Sequence, residues 1–418
     1  MKVTKRSILA LGAIAVTSAI ALTGCSSSTT PDSGKDTTEK PAFSGQITVW
    51  VDADRADVMK DAAKDFTDNT GVKVSLVQKE FGEIRDQFVQ QAPTGKGPDV
   101  VVGAHDWLGV LVANGVVAPV ELGDRSDEFQ QIALDAFSYE GQLYGVPYAI
   151  ENIGLMRNTD LVAEAPTDFN DMIAKGKAAG TEYAFLVGLD PEQADPYHLY
   201  PFQTSFGAPV FAQNDDGSYN ADDLQIGNEG GKKFAAWLGE QGKAGVLNTN
   251  ITGDLAKENF LAGKSPFFLT GPWNAPAATE KGLNIAIDPI PSAGGEDAQP
   301  FAGVQGFFLS SESKNKLAAN EFLLNYVGSE KVQTALYEVG GRAPALTSAF
   351  DAAVKDDPIT AGFGEVGANA VPMPSIPEMG AVWQFWGVTE TALINSKGGD
   401  PAALWEKMTA DIKAATSK

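Results

Sequence analysis

Strand-like and helix-like apolar patterns alternate along most of this chain. From Ile47 to Val51 every second residue is apolar, which predicts a half-buried strand. Apolar residues then recur at helical spacing as far as Phe66, and an Asn-Thr-Gly sequence that ends at Gly71 is typical of a helix terminus. The same order repeats further along, so the sequence predicts an α/β fold built on a mostly parallel, doubly wound sheet.

One buried strand is followed directly by polar chemistry. Val100 to Val102 is an unbroken apolar run between turn residues, which suits a strand buried on both faces of a parallel sheet. Asp106 and Trp107 therefore fall at a strand's carboxyl end beside a helix start, the edge where open α/β sheets bind ligands. There a carboxylate accepts hydrogen bonds from hydroxyls and an indole stacks on an apolar face. The competing interpretation is an N-cap aspartate followed by a packing tryptophan.

The second half of the chain repeats the α/β pattern after an extended stretch. Residues 141–158 have no helical period and are interpreted as chain passing from one lobe into another. Residues 300–309 return to the first lobe, and residues 340–344 form a third crossing. The predicted domains are lobe 1, of residues 42–149 plus 300–342, and lobe 2, of residues 150–299 plus 343–418.

The N-terminus has the pattern of an export signal. A basic start precedes an apolar segment from Ile8 to Leu22, which is shorter than the ~20 residues of a membrane span. Leu-Thr-Gly-Cys, ending at Cys25, resembles a bacterial lipobox. Cys25 is the only cysteine, so lipidation explains an otherwise exposed free thiol; a plain secreted protein with an incidental cysteine is the alternative. We predict a signal peptide over 1–25, a flexible tether over 26–41 and anchoring of the exported protein to the outer face of the cytoplasmic membrane.

The charge of the chain limits its partners. The formal net charge is −23, and removal of the basic leader makes the rest more acidic still. Nucleic-acid binders carry a basic patch, so a nucleic-acid partner is not expected. Adsorption to anionic lipid is equally disfavoured, which leaves the lipid on Cys25 as the link to the membrane.

Signals of enzymatic chemistry are sparse. His105 and His198 are the only histidines, and no nucleophile elbow, phosphate loop or zinc motif occurs in the sequence. We therefore predict no catalytic residue, no cofactor and no metal site. Glycoside hydrolysis needs two carboxylates that flank the sugar bond, and the acidic residues are too numerous for the sequence to exclude it.

Aromatic residues recur at predicted loops and strand ends, often beside carboxylates. Aromatic rings cover the apolar face of a sugar, and carboxylates accept from its hydroxyls in charge-assisted bonds. Any one of these aromatics is equally typical of a core, but together they favour a sugar cleft. The aromatic set is Trp107, Tyr148, Tyr197, Tyr200, Trp273, Trp383 and Trp386, and the carboxylates are Asp106, Glu151 and Asp195. Trp50, inside a strand, and Trp237, on a helix, are assigned to the core.

Six segments in register resemble the maltose/maltodextrin-binding proteins of ABC importers, over nearly all of the chain from Gly45 onward. The segments are Asp-Ala-Asp-Arg ending at Arg55, Thr-Gly-Lys-Gly-Pro-Asp-Val-Val from Thr94, Ala-His-Asp ending at Asp106, Gly-Val-Pro-Tyr-Ala-Ile-Glu ending at Glu151, Thr-Gly-Pro-Trp ending at Trp273, and Pro-Ser-Ile-Pro-Glu-Met-Gly-Ala-Val-Trp ending at Trp383. The resemblance implies a periplasmic-binding-protein-like fold, in which two α/β lobes joined by a hinge of three crossings close around an α-1,4-linked glucan. It also implies a monomer that serves ABC permease subunits.

The same resemblance implies which residues bind the ligand. Carboxylates and Arg55 would hydrogen-bond sugar hydroxyls, and aromatic residues would stack on the rings. The implied set is Asp54, Arg55, Asp106, Trp107, Glu151, Asp195, Tyr197, Trp273, Trp383 and Trp386. Two departures affect the expected subsites. Enteric members have tryptophan where Gly103 stands and arginine where Trp107 stands, and the segment Gln384–Gly387 differs and is expected to form a longer loop.

Two other functions remain open from the residues alone. The first is an importer subunit for a different oligosaccharide, since nothing in the residues themselves selects a glucan. The second is an extracellular glycoside hydrolase that uses a similar aromatic and acidic cleft. Prolonged incubation with maltotriose separates the second from a binding protein, because only an enzyme shortens the sugar.

Overall fold

A computed structural model describes residues 45–214, 218–355, 357–396 and 399–416. The predicted signal peptide, Cys25 and the predicted tether lie outside the described residues. No helix within the described ranges is long and apolar enough to cross a membrane.

Strands and helices alternate as the sequence patterns predict. The strands are β1 (Gln46–Val51), β2 (Lys73–Gln78), β3 (Val100–Ala104), β4 (Val117–Ala118), β5 (Ser138–Tyr139), β6 (Gln142–Leu143), β7 (Gly145–Asn152), β8 (Gly154–Asn158), β9 (Leu186–Val187), β10 (Phe211–Gln213), β11 (Tyr219–Leu224), β12 (Phe267–Thr270), β13 (Ile285–Asp288), β14 (Phe301–Ser310), β15 (Ala343–Pro344) and β16 (Val371–Pro372). The helices are α1 (Ala53–Thr70), α2 (Phe81–Gln91), α3 (Leu108–Ala113), α4 (Gln131–Ala136), α5 (Phe169–Ala178), α6 (Pro196–Thr204), α7 (Glu229–Lys243), α8 (Gly253–Leu261), α9 (Ala275–Glu280), α10 (Lys316–Phe322), α11 (Glu330–Gly340), α12 (Thr347–Val354), α13 (Pro358–Gly367), α14 (Met379–Ile394) and α15 (Pro401–Thr416). Short 3₁₀ turns occur at Ala92–Thr94, His105–Trp107, Gly123–Glu128 and Pro272–Asn274, and a π-helical turn occurs at Leu323–Val327.

The first helix shows how local sequence sets the boundaries of an element. The side chain of Asp52 caps α1 by accepting a hydrogen bond from the backbone N–H of Arg55 at 3.2 Å. Gly71 ends the helix in the left-handed conformation at φ 80°, where glycine carries no steric penalty. The predicted helix end is therefore confirmed, and the start of α1 is fixed at the carboxyl end of β1.

The larger sheet, with β15-β7-β14-β3-β1-β2 as its main order, mixes parallel and antiparallel strands. The first half of the sheet follows the sequence prediction, because β1 pairs in parallel with both β2 and β3. Strand β14 returns from the far end of the chain and pairs antiparallel with β3 and β7. The strands are thus less uniformly parallel than expected, because β14, which returns the chain from the smaller sheet, runs against both β3 and β7.

The smaller sheet has the order β13-β8-β12-β9. Only β12 and β9 pair in parallel, and β8 lies antiparallel to both of its neighbours. The expectation of a mostly parallel second sheet is therefore corrected to a mixed sheet. The reason is again the crossing chain, because β8 continues directly from β7 of the larger sheet.

The chain crosses between the two sheets where extended segments were predicted. Strand β7 leads into β8 across Ile153, and β14 returns the chain to the larger sheet after β13. After β15 the chain reaches α13, which packs on β13 of the smaller sheet. Helices α14 and α15 then pack on α7. Trp50 and Trp237 are buried in the core, as predicted.

Candidate functional site

A cavity of about 560 Å³ lies where the carboxyl ends of β1 and β3 meet residues of α6, the turn after β12, and α14. Nine of the ten ligand-binding residues predicted from the sequence line this main cavity. They are Asp54, Arg55, Asp106, Trp107, Glu151, Asp195, Tyr197, Trp273 and Trp383. The volume falls in the range of about 300–1,000 Å³ that is usual for small-molecule sites.

Asp106 presents a free acceptor at the carboxyl end of β3. The residue is 5 % exposed, and its Oδ2 accepts a hydrogen bond from the Trp383 indole N–H at 3.0 Å. Its Oδ1 is buried without a hydrogen-bond partner among the described residues, and it makes no helix-capping bond. The N-cap interpretation is therefore wrong. Burial raises the pKa of Asp106 to about 6, against the opposing effects of Arg85 and the Trp383 bond.

Trp107 forms a wall of the cavity and is held from behind. It is 8 % exposed, and the ring of Phe81 lies 5.1 Å from its ring, centroid to centroid. A Cβ on Gly103 would lie 2.4 Å from the Trp107 ring, so the indole occupies the space directly over that glycine. The paired departure at positions 103 and 107 is thus one change, because the glycine makes room for the tryptophan.

Arg55 is buried beneath the cavity and is already bonded within the protein. It is 3 % exposed, forms an ion pair with Asp52 and donates to the hydroxyl of Tyr148. A third bond, to Gln305, is 3.4 Å long. These bonds give Arg55 a supporting place, which differs from the free donor to sugar hydroxyls that the family resemblance implies.

A polar chain connects Glu151 to the opposite side of the cavity. The Oε1 of Glu151 accepts from Gln305 at 2.8 Å, and its Oε2 accepts from Arg342 at 2.5 Å. The guanidinium of Arg342 lies 4.9 Å from the centre of the Trp273 ring and 3.9 Å from Asp54. This network fixes the floor of the cavity and joins residues near both sheets.

Trp273 lies in the turn after β12 and is only half-buried. The ring centroids of Tyr197 and Trp273 are 6.5 Å apart. The Tyr197 hydroxyl is buried without a hydrogen-bond partner among the described residues. Burial, followed by the nearby charge of Glu151, raises the pKa of Tyr197 well above 10, so its hydroxyl is neutral. The side chain of Asp195 caps α6 and contacts His198 Nδ1 at 2.7 Å. Tyr197 therefore offers a free hydroxyl, whereas Asp195 is already engaged.

Trp383 and Trp386 lie on helix α14, not in the longer loop expected around Gln384–Gly387. Trp386 is 0 % exposed and stacks behind Trp383 with ring centroids 5.4 Å apart. It presents no surface to a ligand, so its predicted direct contact is corrected to support of Trp383. Tyr148 and Tyr200, which belonged to the same aromatic set, are buried as well.

Neither histidine shows the surroundings of a metal ligand. The Val304 N–H donates to Nδ1 of His105 at 3.0 Å, so Nε2 carries the proton and donates to Met373 O at 3.0 Å. Burial lowers the pKa of His105 to about 4, which keeps the ring neutral. Within the described part of the chain, no group of three His, Cys, Asp or Glu residues is placed to hold a metal ion.

The cavity lining also includes residues that the sequence analysis does not identify, among them Phe81, Arg85, Gln305 and Arg342. Arg342 follows two glycines in a predicted crossing, which is a usable signal for a residue at a junction. The others lie within ordinary helix and strand patterns, and no feature of those patterns distinguishes them as lining residues. The lining as a whole combines aromatic faces, buried acceptors and a few fixed donors, which suits a neutral polyhydroxylated ligand.

Comparison with known proteins agrees with this chemistry. Residues 61–362 match the family model described as "Bacterial extracellular solute-binding protein". A galactooligosaccharide-binding protein of Bacillus subtilis is 28% identical over 92% of this chain and 91% of its own length. A maltooligosaccharide ABC transporter solute-binding lipoprotein of Streptococcus pneumoniae is 30% identical over 84% of this chain and 85% of its own. The solved structure of a Thermus thermophilus maltotriose binding protein bound with maltotriose superposes with a TM-score of 0.79 at 31% identity, covering 88% of this chain and 99% of that one.

Proposed function

Because the chain belongs to the family of bacterial extracellular solute-binding proteins, we propose that it captures malto-oligosaccharides and delivers them to the permease of an ABC importer. The proposal is supported by relatives named for malto-oligosaccharide and maltotriose binding, at 30% and 31% identity. Its strongest structural support is one observation: aromatic faces and unpartnered polar atoms from both sides meet in a single cavity.

Capture works by closure of two lobes, of residues 42–149 plus 300–342 and residues 150–299 plus 343–418. A ligand shifts a protein towards a closed state only if it binds that state better than the open one. Contacts to Asp106 and Trp107 on one lobe and to Trp273 and Trp383 on the other supply this difference. The crossings between the sheets are where a hinge motion of this kind is taken up.

The side chains divide the work by chemistry. Trp273, Trp383 and Tyr197 cover the apolar faces of sugar rings, and the free Oδ1 of Asp106 accepts from a hydroxyl. Glu151 and Arg342 are fixed by the hydrogen bond between them. Their unused acceptor and donor positions are available to the ligand. Arg55 and Trp386 act from behind by holding these groups in place.

The rest of the proposal concerns the setting of the protein. We propose a monomer, exported and held to the outer face of the cytoplasmic membrane by a lipid on Cys25, with no nucleic-acid partner, cofactor or catalytic role. The family is extracellular, and the Streptococcus pneumoniae relative is named a lipoprotein. The acidic charge of the chain agrees with a membrane link through lipid alone.

A galacto-oligosaccharide is the second candidate ligand. The Bacillus subtilis relative named for such sugars aligns with 92% of this chain. Both sugar classes are neutral polyols with apolar ring faces, so the same aromatic and acidic lining suits either. The stereochemistry of hydroxyls and linkages decides between them, and that decision is made by measurement of binding.

Isothermal titration calorimetry tests the function directly. The chain from Ser26 onward, which lacks the predicted signal peptide and Cys25, is titrated with maltose, maltotriose, a galacto-oligosaccharide and a xylo-oligosaccharide. We expect saturable binding of the glucans at about micromolar Kd or tighter, near −8 kcal/mol. If only the galacto-oligosaccharide binds, the proposed ligand changes from a malto-oligosaccharide to a galacto-oligosaccharide. If none of the four sugars binds, the proposal is overturned. Shortening of maltotriose during prolonged incubation would identify a hydrolase instead.

A further inference from the structure

A second cavity, of about 350 Å³, adjoins the main one at Trp273. We call it the side pocket; its lining includes Asp54, Asp190, His198, Asp254, Lys257 and Trp273. It shares Asp54, Asp195 and Trp273 with the main cavity. We propose that the side pocket is a further sugar subsite, which takes the next unit of a neutral oligosaccharide whose other units fill the main cavity. This inference rests on the proposed function.

The side pocket lies at a favourable edge of the smaller sheet. Strands β9 and β12 are its parallel pair, with Leu186 opposite Phe268 and Val187 opposite Leu269. Their carboxyl ends therefore point to the same edge, where α/β sheets bind ligands. The residues just after β9, from Gly188, and just after β12, to Asn274, form two sides of the pocket.

The wall after β9 is preorganised. Asp190 and Ala194 exchange two backbone hydrogen bonds, of 2.8 and 2.9 Å. The side chain of Asp190 accepts from the N–H groups of Glu192 and Gln193 at 2.7 and 2.8 Å. A wall that is fixed before binding loses less conformational entropy when a ligand arrives.

The side pocket holds a donor with no partner of its own. Lys257 is half-buried on α8, and no described residue forms an ion pair or hydrogen bond with it. Asp54 and Asp254 are exposed carboxylates on the same pocket. The side pocket therefore presents both a hydrogen-bond donor and hydrogen-bond acceptors, and it adjoins the main cavity.

The charge balance of the side pocket selects against anionic sugars. Four carboxylates line it, those of Asp54, Asp190, Asp195 and Asp254. Against them stand the cation of Lys257, a histidine already engaged by Asp195, and the guanidinium of Arg342, which lies 3.9 Å from Asp54. A uronate or sulfated unit would meet this acidic surface, whereas neutral hydroxyls can donate to it and accept from Lys257. Trp273 lines both cavities, so a chain that crosses its ring has one unit on each side.

Substitution of Lys257 tests the subsite with a matched control. Lys257→Met and Lys281→Met each remove one positive charge, and Lys281 is exposed at the end of α9 outside both cavities. Maltose, maltotriose and maltotetraose are titrated into the wild type and both variants, after thermal melts confirm folding. We expect wild-type affinity to rise with length and Lys257→Met to weaken only the longer sugars, by about tenfold for one lost charged hydrogen bond.

Each other outcome has a definite meaning. The subsite assignment is refuted if wild-type affinity does not depend on the length of the sugar, or if the two variants have equal affinities. Neither result affects the proposed function. Equal weakening of all three sugars by Lys257→Met also overturns it, because the lysine then acts on the main cavity. If no glucan binds, the proposed ligand fails, and the same length series with galacto-oligosaccharides decides the side pocket by the same criteria.

Discussion

The two tryptophans that follow strands β3 and β12 line the same cavity but have different surroundings. Trp107 is 8 % exposed and is enclosed by Phe81 and by the glycine beneath it. Trp273 is half-buried, and its neighbours are the polar side chains of Tyr197, His198 and Arg342. Trp107 is therefore a fixed wall, whereas Trp273 offers an open face for stacking.

The difference shows what decides the use of a strand-end aromatic. Both residues sit next to the carboxyl end of a buried strand, and both lie over a glycine two or four positions earlier. What differs is the packing behind each ring, because Phe81 and Phe308 close the space around Gly103 and Trp107. Position in the sheet brings an aromatic to the cavity, and its neighbours decide whether the ring is free to meet a ligand.

Removal of the open ring is expected to have the largest effect on binding. Trp273→Ala takes away the stacking face shared by both cavities, and we expect affinity for the bound oligosaccharide to fall about 30-fold or more, as for a binding hot spot of about 2 kcal/mol. The melting temperature changes little, because the ring is not part of the core. Calorimetric titration and thermal melts measure both quantities.

Trp237→Ala is the matched control for that substitution. Trp237 is buried among Phe169, Phe202 and Phe234, away from both cavities. Its loss is expected to lower the free energy of unfolding by about 3–5 kcal/mol and to leave the affinity of the folded protein unchanged. Equal losses of affinity in the two variants would remove the distinction between a stacking face and a core ring.

Methyl groups placed beneath the two rings sharpen the comparison. A Cβ at Gly271 would lie 2.0 Å from the Trp273 ring, which lines both cavities and can shift into them. Gly271→Ala is therefore expected to misplace the open ring and weaken binding about tenfold with little loss of stability. A Cβ at Gly103 meets both Trp107 at 2.4 Å and Phe308 at 3.0 Å, so Gly103→Ala is expected to cost about 1–3 kcal/mol of stability as well.

Gly364→Ala controls for the general effect of replacing a glycine. Gly364 lies within α13, and a Cβ there has no neighbour within 4 Å. We expect this variant to keep both affinity and melting temperature. If Gly271→Ala destabilises the fold as strongly as Gly103→Ala, then Trp273 is as firmly enclosed as Trp107 and the contrast between wall and open face is wrong.

Much of this fold follows from local pattern. The sequence pattern predicts β1 from the alternation between Ile47 and Val51, and α1 from the helical spacing that reaches Phe66. Gly71 predicts the end of α1. The direction of pairing did not follow, because β14 and β8 owe their antiparallel neighbours to the long path of the chain between sheets. Period and turn residues are local properties, whereas strand direction depends on contacts far apart in sequence.

The site divides along the same line. Residues that follow strands, such as Asp106 and Trp273, were identified because strand ends converge on one edge of a sheet. Phe81 and Gln305 were missed because nothing in their own helix or strand sets them apart. Trp386 was misassigned because its spacing of three from Trp383 places it behind that ring on a helix, and the helix itself had been taken for a loop.

Asp106 gives the smallest predicted effect and the one that depends on pH. Burial raises its pKa from 3.8 to about 6, and the nearby charge of Glu151 acts in the same direction, whereas Arg85 and the Trp383 bond oppose it. Since the folded pKa lies above the unfolded one, the contribution of Asp106 to folding is fully present below about pH 3.8 and is lost as the pH rises through about 6. The ligand-free protein therefore gains stability from this group on acidification.

Ligand affinity is expected to depend on pH in the opposite direction. A sugar hydroxyl that donates to Oδ1 of Asp106 stabilises the carboxylate and lowers its pKa in the complex, so affinity is constant above about pH 6.5 and falls below pH 6 by at most about tenfold per pH unit. Titrations between pH 7.5 and 5 measure the change. Asp106→Asn keeps the shape but cannot ionise, so its weaker affinity should be independent of pH over this range. Two results would contradict this prediction: a wild-type affinity that stays constant to pH 5, or an equal fall in affinity for Asp106→Asn. Either would mean that the Asp106 carboxylate does not bind the ligand and that this strand end contributes only the Trp107 wall.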